Sequence, residues 1–244
     1  MRTMNLDGWD DLSDLPDEKS QKSGKDEQQL PMRYLDPSPA YEDALIPRRP
    51  DEPPRLTVVG ATWGGVNVIR DIEAMRSASA EIDLDMCTLH RVLVPDPAYG
   101  VVKTLTLLYH YEGDDTMHLL NAPEHGSFIK ICPGAHEQPA NANLIKDVDN
   151  TWCRQGRAGP YGVEILAVLY GPQKIETPWV LKDLARFFEG SYGQIRMTNA
   201  FFKVDPWPGV RKSWTVYFRF VGSTRVQCVT GMEDGALEEP WTRH

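Results

Sequence analysis

The chain is short of the features that mark secreted, membrane-spanning and metal-finger proteins. Its 244 residues include only four cysteines, which lie far apart and form no Cys-x-x-Cys pair. Cysteines this sparse favour reduced thiols over a disulfide framework. No run of residues approaches the roughly eighteen apolar positions of a membrane span, and neither a signal peptide nor a glycine at position 2 is found. We therefore expect a cytosolic protein whose membrane contacts are peripheral.

Motifs of common catalytic and metal sites are also missing. There is no Gly-x-Ser-x-Gly elbow, and the paired carboxylates Asp114-Asp115 and Glu238-Glu239 lie in polar stretches typical of a surface. Four possible zinc ligands follow one another along the chain, namely His118, His125, Cys132 and His136. Their spacing matches no zinc finger. We expect no catalytic residues, no metal and no cofactor, and the chain is not predicted to be an enzyme.

One glycine-rich segment, Gly60–Gly65, has some likeness to a cofactor site. It follows a predicted strand, Leu56–Val59, and precedes a predicted helix, Val66–Met75, an order that can hold a dinucleotide pyrophosphate at a helix start. Asp83 and Asp85 follow at about the distance of a ribose-binding acid. Bulky side chains inside the segment and the lack of further strand–helix alternation favour a structural turn. A nucleotide-dependent enzyme is kept as an alternative.

The charge of the chain is concentrated at its N-terminal end. Residues 1–54 contain thirteen acidic and seven basic residues, so the remainder carries only −3 of the total charge of −9. Residues 1–54 have too few apolar groups to offset the entropy of ordering. They predict a disordered acidic arm, followed by a compact domain over residues 55–244. That domain lacks the concentrated basic surface that sequence-specific nucleic-acid binding requires.

Hydrophobic patterning predicts the elements of the domain. Beyond Leu56–Val59 and Val66–Met75, we expect strands over residues 101–111, 128–131, 163–170, 201–204, 213–221 and 224–230. We expect a loop at Asn121, Pro123 and Gly126 and an irregular connection over residues 133–161. We also expect a two-residue hairpin turn at Gly222-Ser223. Thr177, Pro178 and Gly190 mark the ends of the second helix. The prediction is an α+β fold, a mostly antiparallel sheet with two packed helices and no visible internal repeat.

Two segments are candidates for contacts with other molecules. The arm carries Pro37, Pro39 and Tyr41, whose rings suit an aromatic-lined groove for extended peptides. A second candidate is the loop that contains Leu93, Val94 and Tyr99, because its prolines oppose regular pairing while its apolar side chains favour cover. Packing of this loop on its own domain is the alternative.

The arm peptide Leu35–Asp43 resembles the late-domain region of rhabdovirus matrix proteins. In that family, Pro-Pro-x-Tyr or Pro-Ser/Thr-Ala-Pro peptides in a disordered arm recruit host ubiquitin ligases and membrane-scission machinery. Here Ser38 stands where the first proline of Pro-Pro-x-Tyr belongs, and Pro37–Ala40 transposes the last two residues of the other motif. The order of arm, strand, amphipathic helix, later strand and second helix is also similar to that family. The acidic residues at the N-terminus depart from the lysine-rich arm of vesicular members.

The resemblance implies a viral matrix protein with a structural role in the virion. Such a protein self-associates between the nucleocapsid and the membrane, supports assembly and budding, and lies beneath the envelope or at the inner face of host membranes. Its implied partners are further copies of itself, the viral nucleocapsid, a peripheral membrane surface and host ubiquitin ligase or scission machinery. A host-factor-binding viral accessory protein that forms no layer is the other alternative.

We predict that amides of residues 5–30 exchange at nearly the rates of an unfolded chain, because this segment is charged and poor in apolar groups. Hydrogen exchange followed by mass spectrometry measures this directly. Strong protection throughout residues 5–30 of the isolated protein contradicts a disordered arm.

Overall fold

The computed structural model describes residues 54–77, 81–93, 95–114, 116–125, 128–132, 135–137, 143–145, 152–153, 162–190 and 193–238. These ranges belong to one compact unit of the chain. Nearly all of the predicted arm, residues 1–53, therefore lies outside the described residues.

The secondary structure combines short helices with many strands. The helices are α1 (Ile69–Met75), α2 (Leu89–Val92), α3 (Pro178–Phe188) and α4 (Asn199–Phe202). The strands are β1 (Leu56–Trp63), β2 (Val66–Asn67), β3 (Ile82–Asp85), β4 (Thr104–Tyr111), β5 (His118–Pro123), β6 (Phe128–Cys132), β7 (Ala135–Glu137), β8 (Asn143–Ile145), β9 (Trp152–Cys153), β10 (Val163–Tyr170), β11 (Gln173–Lys174), β12 (Gln194–Arg196), β13 (Ser213–Phe220), β14 (Gln227–Met232) and β15 (Ala236–Glu238). Neighbouring strands in the described ranges pair antiparallel. The α+β class with a mostly antiparallel sheet is confirmed.

The strands form two larger and two smaller sheets. The first large sheet has the order β2-β1-β4-β5-β8, and the second has the order β11-β10-β13-β14, with β9 also paired to β10. The smaller sheets are β3-β6-β7 and β12-β15.

The two large sheets pack face to face. Their contact is a buried cluster that contains Leu108 and Leu119 from the first sheet and Leu166, Leu169 and Tyr217 from the second. Hydroxyl groups bridge the same contact: the oxygens of Thr62 and Thr215 are 2.9 Å apart, and those of Thr106 and Tyr217 are 2.8 Å apart. These hydrogen bonds satisfy polar groups that would otherwise be costly to bury.

Each sheet covers its other face with a helix. Ile72 of α1 belongs to the core cluster of the first sheet, and α3 buries Val180, Leu184 and Phe187 in the core cluster of the second. The small sheets share these outer faces, since Ile82 of β3 and Leu237 of β15 belong to the same two clusters. Helices α1 and α3 are the two packed helices that the sequence predicted.

Helix α3 begins and ends at the residues that its sequence indicates. Thr177 has the extended backbone of an N-cap, Pro178 occupies the first turn, and Gly190 beyond the C-cap has a φ of 81°. Proline fits the first turn because its missing N–H has no partner there, and glycine adopts positive φ without strain.

Two predictions in the N-terminal half of the domain were wrong. Val66–Asn67 is the short strand β2, so α1 begins only at Ile69. The expected loop at Asn121 and Pro123 is strand β5, which pairs with β4 on one side and β8 on the other. Pairing with these neighbouring strands overrides the turn preference of asparagine and proline here. The buried Asn121 side chain donates a hydrogen bond to the Gly171 carbonyl at 3.2 Å.

Two predictions near the C-terminal end were also wrong. The expected strand Phe201–Val204 overlaps helix α4, where the Thr198 hydroxyl accepts the Phe201 amide at 3.2 Å and caps the first turn. Gly222-Ser223 does not close a two-residue hairpin, because the last pair joins Phe218 to Gln227 and the connection is longer.

The chain contains an internal repeat that the sequence analysis did not find. We call Leu56–Cys132 the first repeat and Val163–Glu238 the second. Each has the order strand, strand, helix, strand, helix and three strands, with the same pairings inside each repeat. Both first strands also carry an irregularity at the same step, between Val58 and Gly60 and between Ile165 and Ala167. The prediction that no repeat exists was therefore wrong.

We predict that Phe187→Ala lowers the free energy of unfolding by about 3–5 kcal/mol, because the ring is fully buried under α3. Urea denaturation of the full chain measures the change. Phe128→Ala is the matched control, since Phe128 is 52% exposed and its loss should cost less than about 1 kcal/mol. A near-neutral result at Phe187 contradicts this packing of α3.

Candidate functional site

The structure describes two of the predicted contact residues, Leu93 and Tyr99. Pro37, Pro39, Tyr41 and Val94 lie outside the described residues. Leu93 directly follows α2 and is only 3% exposed, so it packs in the core of the first repeat rather than on a contact surface. Tyr99 is 93% exposed and is the best exposed of the large hydrophobic side chains in the described ranges.

Tyr99 lies on a tight turn between α2 and β4. We call residues 96–103 the first lysine-bound turn. The Asp96 carboxylate accepts the Ala98 amide at 2.9 Å, and Gly100 provides a φ of 75° that other residues rarely adopt. These local interactions hold the backbone on both sides of Tyr99, so its ring projects from a fixed position.

The ammonium group of Lys103 holds this turn from inside. Its side chain is only 2% exposed, and Nζ lies 3.2 Å from a carboxylate oxygen of Asp96 and 3.2 Å from one of Glu124. It also donates to the Val101 carbonyl at 2.9 Å and lies 5.7 Å from the ring centre of Trp63. A buried ammonium is costly unless it is paired and hydrogen-bonded, and here it is both.

The second repeat contains the same arrangement. We call residues 205–212 the second lysine-bound turn. Lys212 is 2% exposed, and its Nζ lies 2.9 Å from Asp205 and 3.1 Å from Glu233. It donates to the Val210 carbonyl at 2.8 Å and lies 5.4 Å from the ring centre of Tyr170.

A short motif encodes both turns. Residues 96–103 and 205–212 share the pattern Asp-Pro-x-x-Gly-Val-x-Lys, followed in each case by a hydroxyl residue. In each repeat a glutamate at the end of the next strand accepts the amide of the lysine, Glu124 at 3.0 Å and Glu233 at 3.1 Å. Alignment of the chain with itself would have revealed this motif, which our sequence analysis missed.

The carboxylates of the second turn respond to the lysine. A hydrogen bond from Lys212 lowers the pKa of Asp205 below its usual value. Burial raises the pKa of Glu233, but hydrogen bonds from Tyr170 and Lys212 outweigh it, so the net pKa is lowered. For the Tyr170 phenol, burial and the neighbouring Glu233 raise the pKa.

Both lysine-bound turns lie at the same end of the two-sheet stack. The β1–β2 turn of the first repeat lies against the end of β14. A Cβ added to Gly65 in that turn would be 2.8 Å from the carbonyl carbon of Gly231, which is two residues before Glu233. In the reciprocal contact Asn121, three residues before Glu124, donates to Gly171 in the β10–β11 turn. The two repeats therefore meet so that each lysine site lies beside the first turn of the other repeat.

The turns differ in what they present to solvent. The position of Tyr99 in the first turn corresponds to Pro208 in the second. Trp207, at the position before Pro208, is half-buried, whereas Tyr99 is almost fully exposed. Among the described residues, Tyr99 is thus a nearly fully exposed aromatic ring on a turn whose backbone is held by hydrogen bonds.

The glycine-rich segment does not form a phosphate-binding loop. Gly60 lies within β1, where an added Cβ would be 2.5 Å from the Tyr217 ring. Gly64 and Gly65 have φ values of 54° and 83° and form the hairpin turn into β2, whereas α1 begins later, at Ile69. Glycine is needed here for close approach and positive φ, so the structural interpretation of the segment agrees with its geometry.

The prediction that the chain holds no metal can be compared only with the described part of the chain. Within the described ranges, no three His, Cys, Asp or Glu side chains are grouped so as to hold a metal ion. His118 instead stacks on Tyr109 at 5.3 Å and lies 3.7 Å from Asp114. The basic residues Lys212 and Arg219 do not form a free basic surface, because Lys212 is buried and Arg219 is hydrogen-bonded to Glu164.

Comparison with protein-family models, with curated proteins and with solved structures finds no match to this chain. Among the described helices, none is long and apolar enough to cross a membrane.

We predict that Glu233→Gln destabilises the protein at pH 7 by about 1–3 kcal/mol, because Lys212 loses a buried charged partner. A carboxyl group whose pKa is lowered by folding adds stability above its unfolded pKa and loses it as pH falls through the folded pKa. The stability difference between wild type and Glu233→Gln should therefore shrink as pH falls below about 4.5. Urea denaturation at pH 7, 5 and 3 measures this difference. A difference that stays constant over this range contradicts the assigned role of Glu233.

Proposed function

We propose that this protein is a viral matrix-type structural protein that self-associates into a layer between nucleocapsid and membrane. The observation that carries the proposal is Tyr99, a tyrosine that is 93% exposed on a turn held by the buried Lys103. The backbone of this turn is already fixed, so a contact through Tyr99 costs little backbone entropy, and the exposed ring is a suitable binding anchor.

The arm supplies the second part of the proposal. Its peptide around Pro37, Pro39 and Tyr41 resembles the late-domain region of rhabdovirus matrix proteins, which recruit host ubiquitin ligases or scission machinery. In this scheme the domain makes the contacts between copies, and the arm makes contacts with host factors during budding. The membrane contact is peripheral, and the nucleocapsid lies on the other side of the layer.

We predict that Tyr99→Ala weakens self-association and leaves the melting temperature nearly unchanged, because the side chain has little contact with its own domain. Analytical ultracentrifugation over a range of protein and salt concentrations measures assembly. Tyr99→Phe should assemble like wild type if the ring is the anchor.

Val221→Ala is the matched control for exposure. Val221 is 54% exposed and follows the C-terminal end of β13, away from the lysine-bound turns. This change should leave assembly unaffected. If wild type remains a monomer under all conditions, or if Tyr99→Ala assembles normally, self-association through this surface is wrong.

The arm is tested separately in cells. Replacing Pro39 and Tyr41 with alanine should reduce particle release without changing the assembly of purified protein, because these residues belong to the predicted host-binding peptide. Normal release by this double variant contradicts the late-domain role and leaves the self-association test intact.

A further inference from the structure

The outer face of the second repeat carries two aromatic rings that the core covers only in part. Trp179, at the start of α3, and Phe201, in α4, are half-buried against the core cluster of the second sheet. Their ring centres are 5.6 Å apart, and the ring planes meet at 83°. Phe201 also contacts the fully buried Phe202, whose ring centre is 5.1 Å away. We call Trp179 and Phe201 the aromatic pair, which packing holds at a fixed angle at the surface.

Exposed lysines surround the aromatic pair. The Lys203 ammonium nitrogen lies 5.6 Å from the ring centre of Trp179, and Lys182 follows Trp179 by about one turn of α3. Both lysines are exposed, and neither is ion-paired with a described residue. Asp183, also on α3, is already paired with Arg186 at 3.7 Å. The charge left unpaired around the aromatic pair is therefore positive.

The aromatic pair also offers a hydrogen-bond donor. The indole N–H of Trp179 donates to no described residue and is open to solvent, unlike the buried indole N–H of Trp63. Grooves that bind extended, proline-containing peptides are lined by aromatic rings of this kind. The rings pack against proline and tyrosine side chains, the N–H donates to a peptide carbonyl, and the lysines favour acidic residues beside the prolines.

The first repeat lacks this arrangement. Counted back from the motif that both repeats share, Val92 stands at the position of Phe201 and Leu93 at the position of Phe202. Leu93 and Phe202 are both buried in a core, so the common fold requires an apolar side chain at their position. At the neighbouring position the same fold accepts a valine that is 56% exposed. The ring of Phe201 is therefore not needed for the fold.

We propose that the aromatic pair is the docking site for residues 35–43 of the chain's own arm. Pro37 and Pro39 favour an extended backbone in this peptide, and Tyr41 adds a third ring. All of its charged residues are acidic, namely Asp36, Glu42 and Asp43. The inference rests on the proposed function, because docking covers the host-recruiting peptide until a host groove of higher affinity displaces it.

The length of the arm allows this contact within one chain. Thirteen residues, 42–54, connect Tyr41 to the start of the described domain, and they span at most about 43 Å. The first sheet, where the arm enters, is separated from α3 by two layer spacings of about 10 Å each. The tether therefore reaches the aromatic pair and holds the peptide near it at an effective concentration on the order of 1 mM. At that concentration even a weak site is occupied by its own arm.

Photo-cross-linking in the full chain tests the site. Replacing Tyr41 with the photoreactive p-benzoylphenylalanine keeps an aromatic ring in the peptide. Irradiation should attach this ring to α3 or α4 of the same chain, and mass spectrometry of the digested protein locates the attachment. Phe201→Val, which introduces the residue of the first repeat, should reduce the attachment roughly fivefold or more. Phe128→Val is the matched control, since Phe128 is 52% exposed on the first repeat, and it should leave the attachment unchanged.

Binding of a labelled synthetic peptide of residues 35–43 gives a second measurement. A full-chain variant with alanine at Pro37, Pro39 and Tyr41 leaves the site vacant, so it should bind the peptide roughly tenfold more tightly than wild type, whose tethered arm competes. Adding Lys203→Gly should weaken this binding, because it removes the cation while glycine suits the φ of 57° at that position. Fluorescence anisotropy measures the affinity, and circular dichroism checks that each variant folds. If Phe201→Val does not fold, the Lys203→Gly result decides alone.

The outcomes separate this inference from the proposed function. No attachment to α3 or α4, or equal peptide affinity for wild type and the triple alanine variant, overturns the docking and leaves the late-domain role standing. Cross-links that join two chains show that the arm binds a second copy, and they overturn docking within one chain. Attachment at the aromatic pair together with normal particle release by the Pro39 and Tyr41 double variant supports the docking and contradicts the late-domain role.

Discussion

The geometry of one end of this protein depends on two buried lysine ammonium groups. Lys103 and Lys212 are each almost fully buried and each contact two carboxylates. Such a group is stable in the interior only while its partners stay in place, because an unpaired buried charge costs several kcal/mol. Each lysine therefore links the turn before its strand, through the aspartate, to the end of the next strand, through the glutamate. Gly64 and Gly171 leave room for the lysine stems.

The repeat explains how two such sites occur in one chain and how they are placed together. Each repeat has a helix on the outer face of its sheet, and the inner faces meet around Leu108 and Tyr217, which are equivalent positions. The arrangement has the form of a two-fold dimer joined into one chain. Differences between the repeats then identify positions that the common fold does not require. Tyr99 is one such difference, since the equivalent position in the second repeat is Pro208.

Part of the candidate site was predictable from local sequence. The turn around Tyr99 was selected because prolines and apolar residues occur together there, and the exposed ring lies on it. Leu93, in the same segment, was assigned wrongly because an apolar side chain next to prolines has the same local pattern whether it packs inward or outward. The role of Lys103 was not predictable locally, since its partner Glu124 comes from another strand. Burial of a charged residue is decided by contacts distant in sequence.

The sequence by itself determined the elements whose signals are local. Strand β10 is a run of eight residues that are apolar except for Glu164, and α3 carries its apolar face, its proline and its closing glycine within one short segment, so both were predicted with nearly correct ends. Antiparallel pairing was also predicted, because the hydrophobic pattern indicated only two helices among many strands. Only the tertiary structure decided that Asn121 lies in a strand and that Gly60 packs against Tyr217. Most of the repeat was likewise visible only in the pairing of the strands, because the two halves share few residue identities outside the motif at 96–103 and 205–212. Pairing partners far apart in the chain set these features, and no local window of sequence contains both partners.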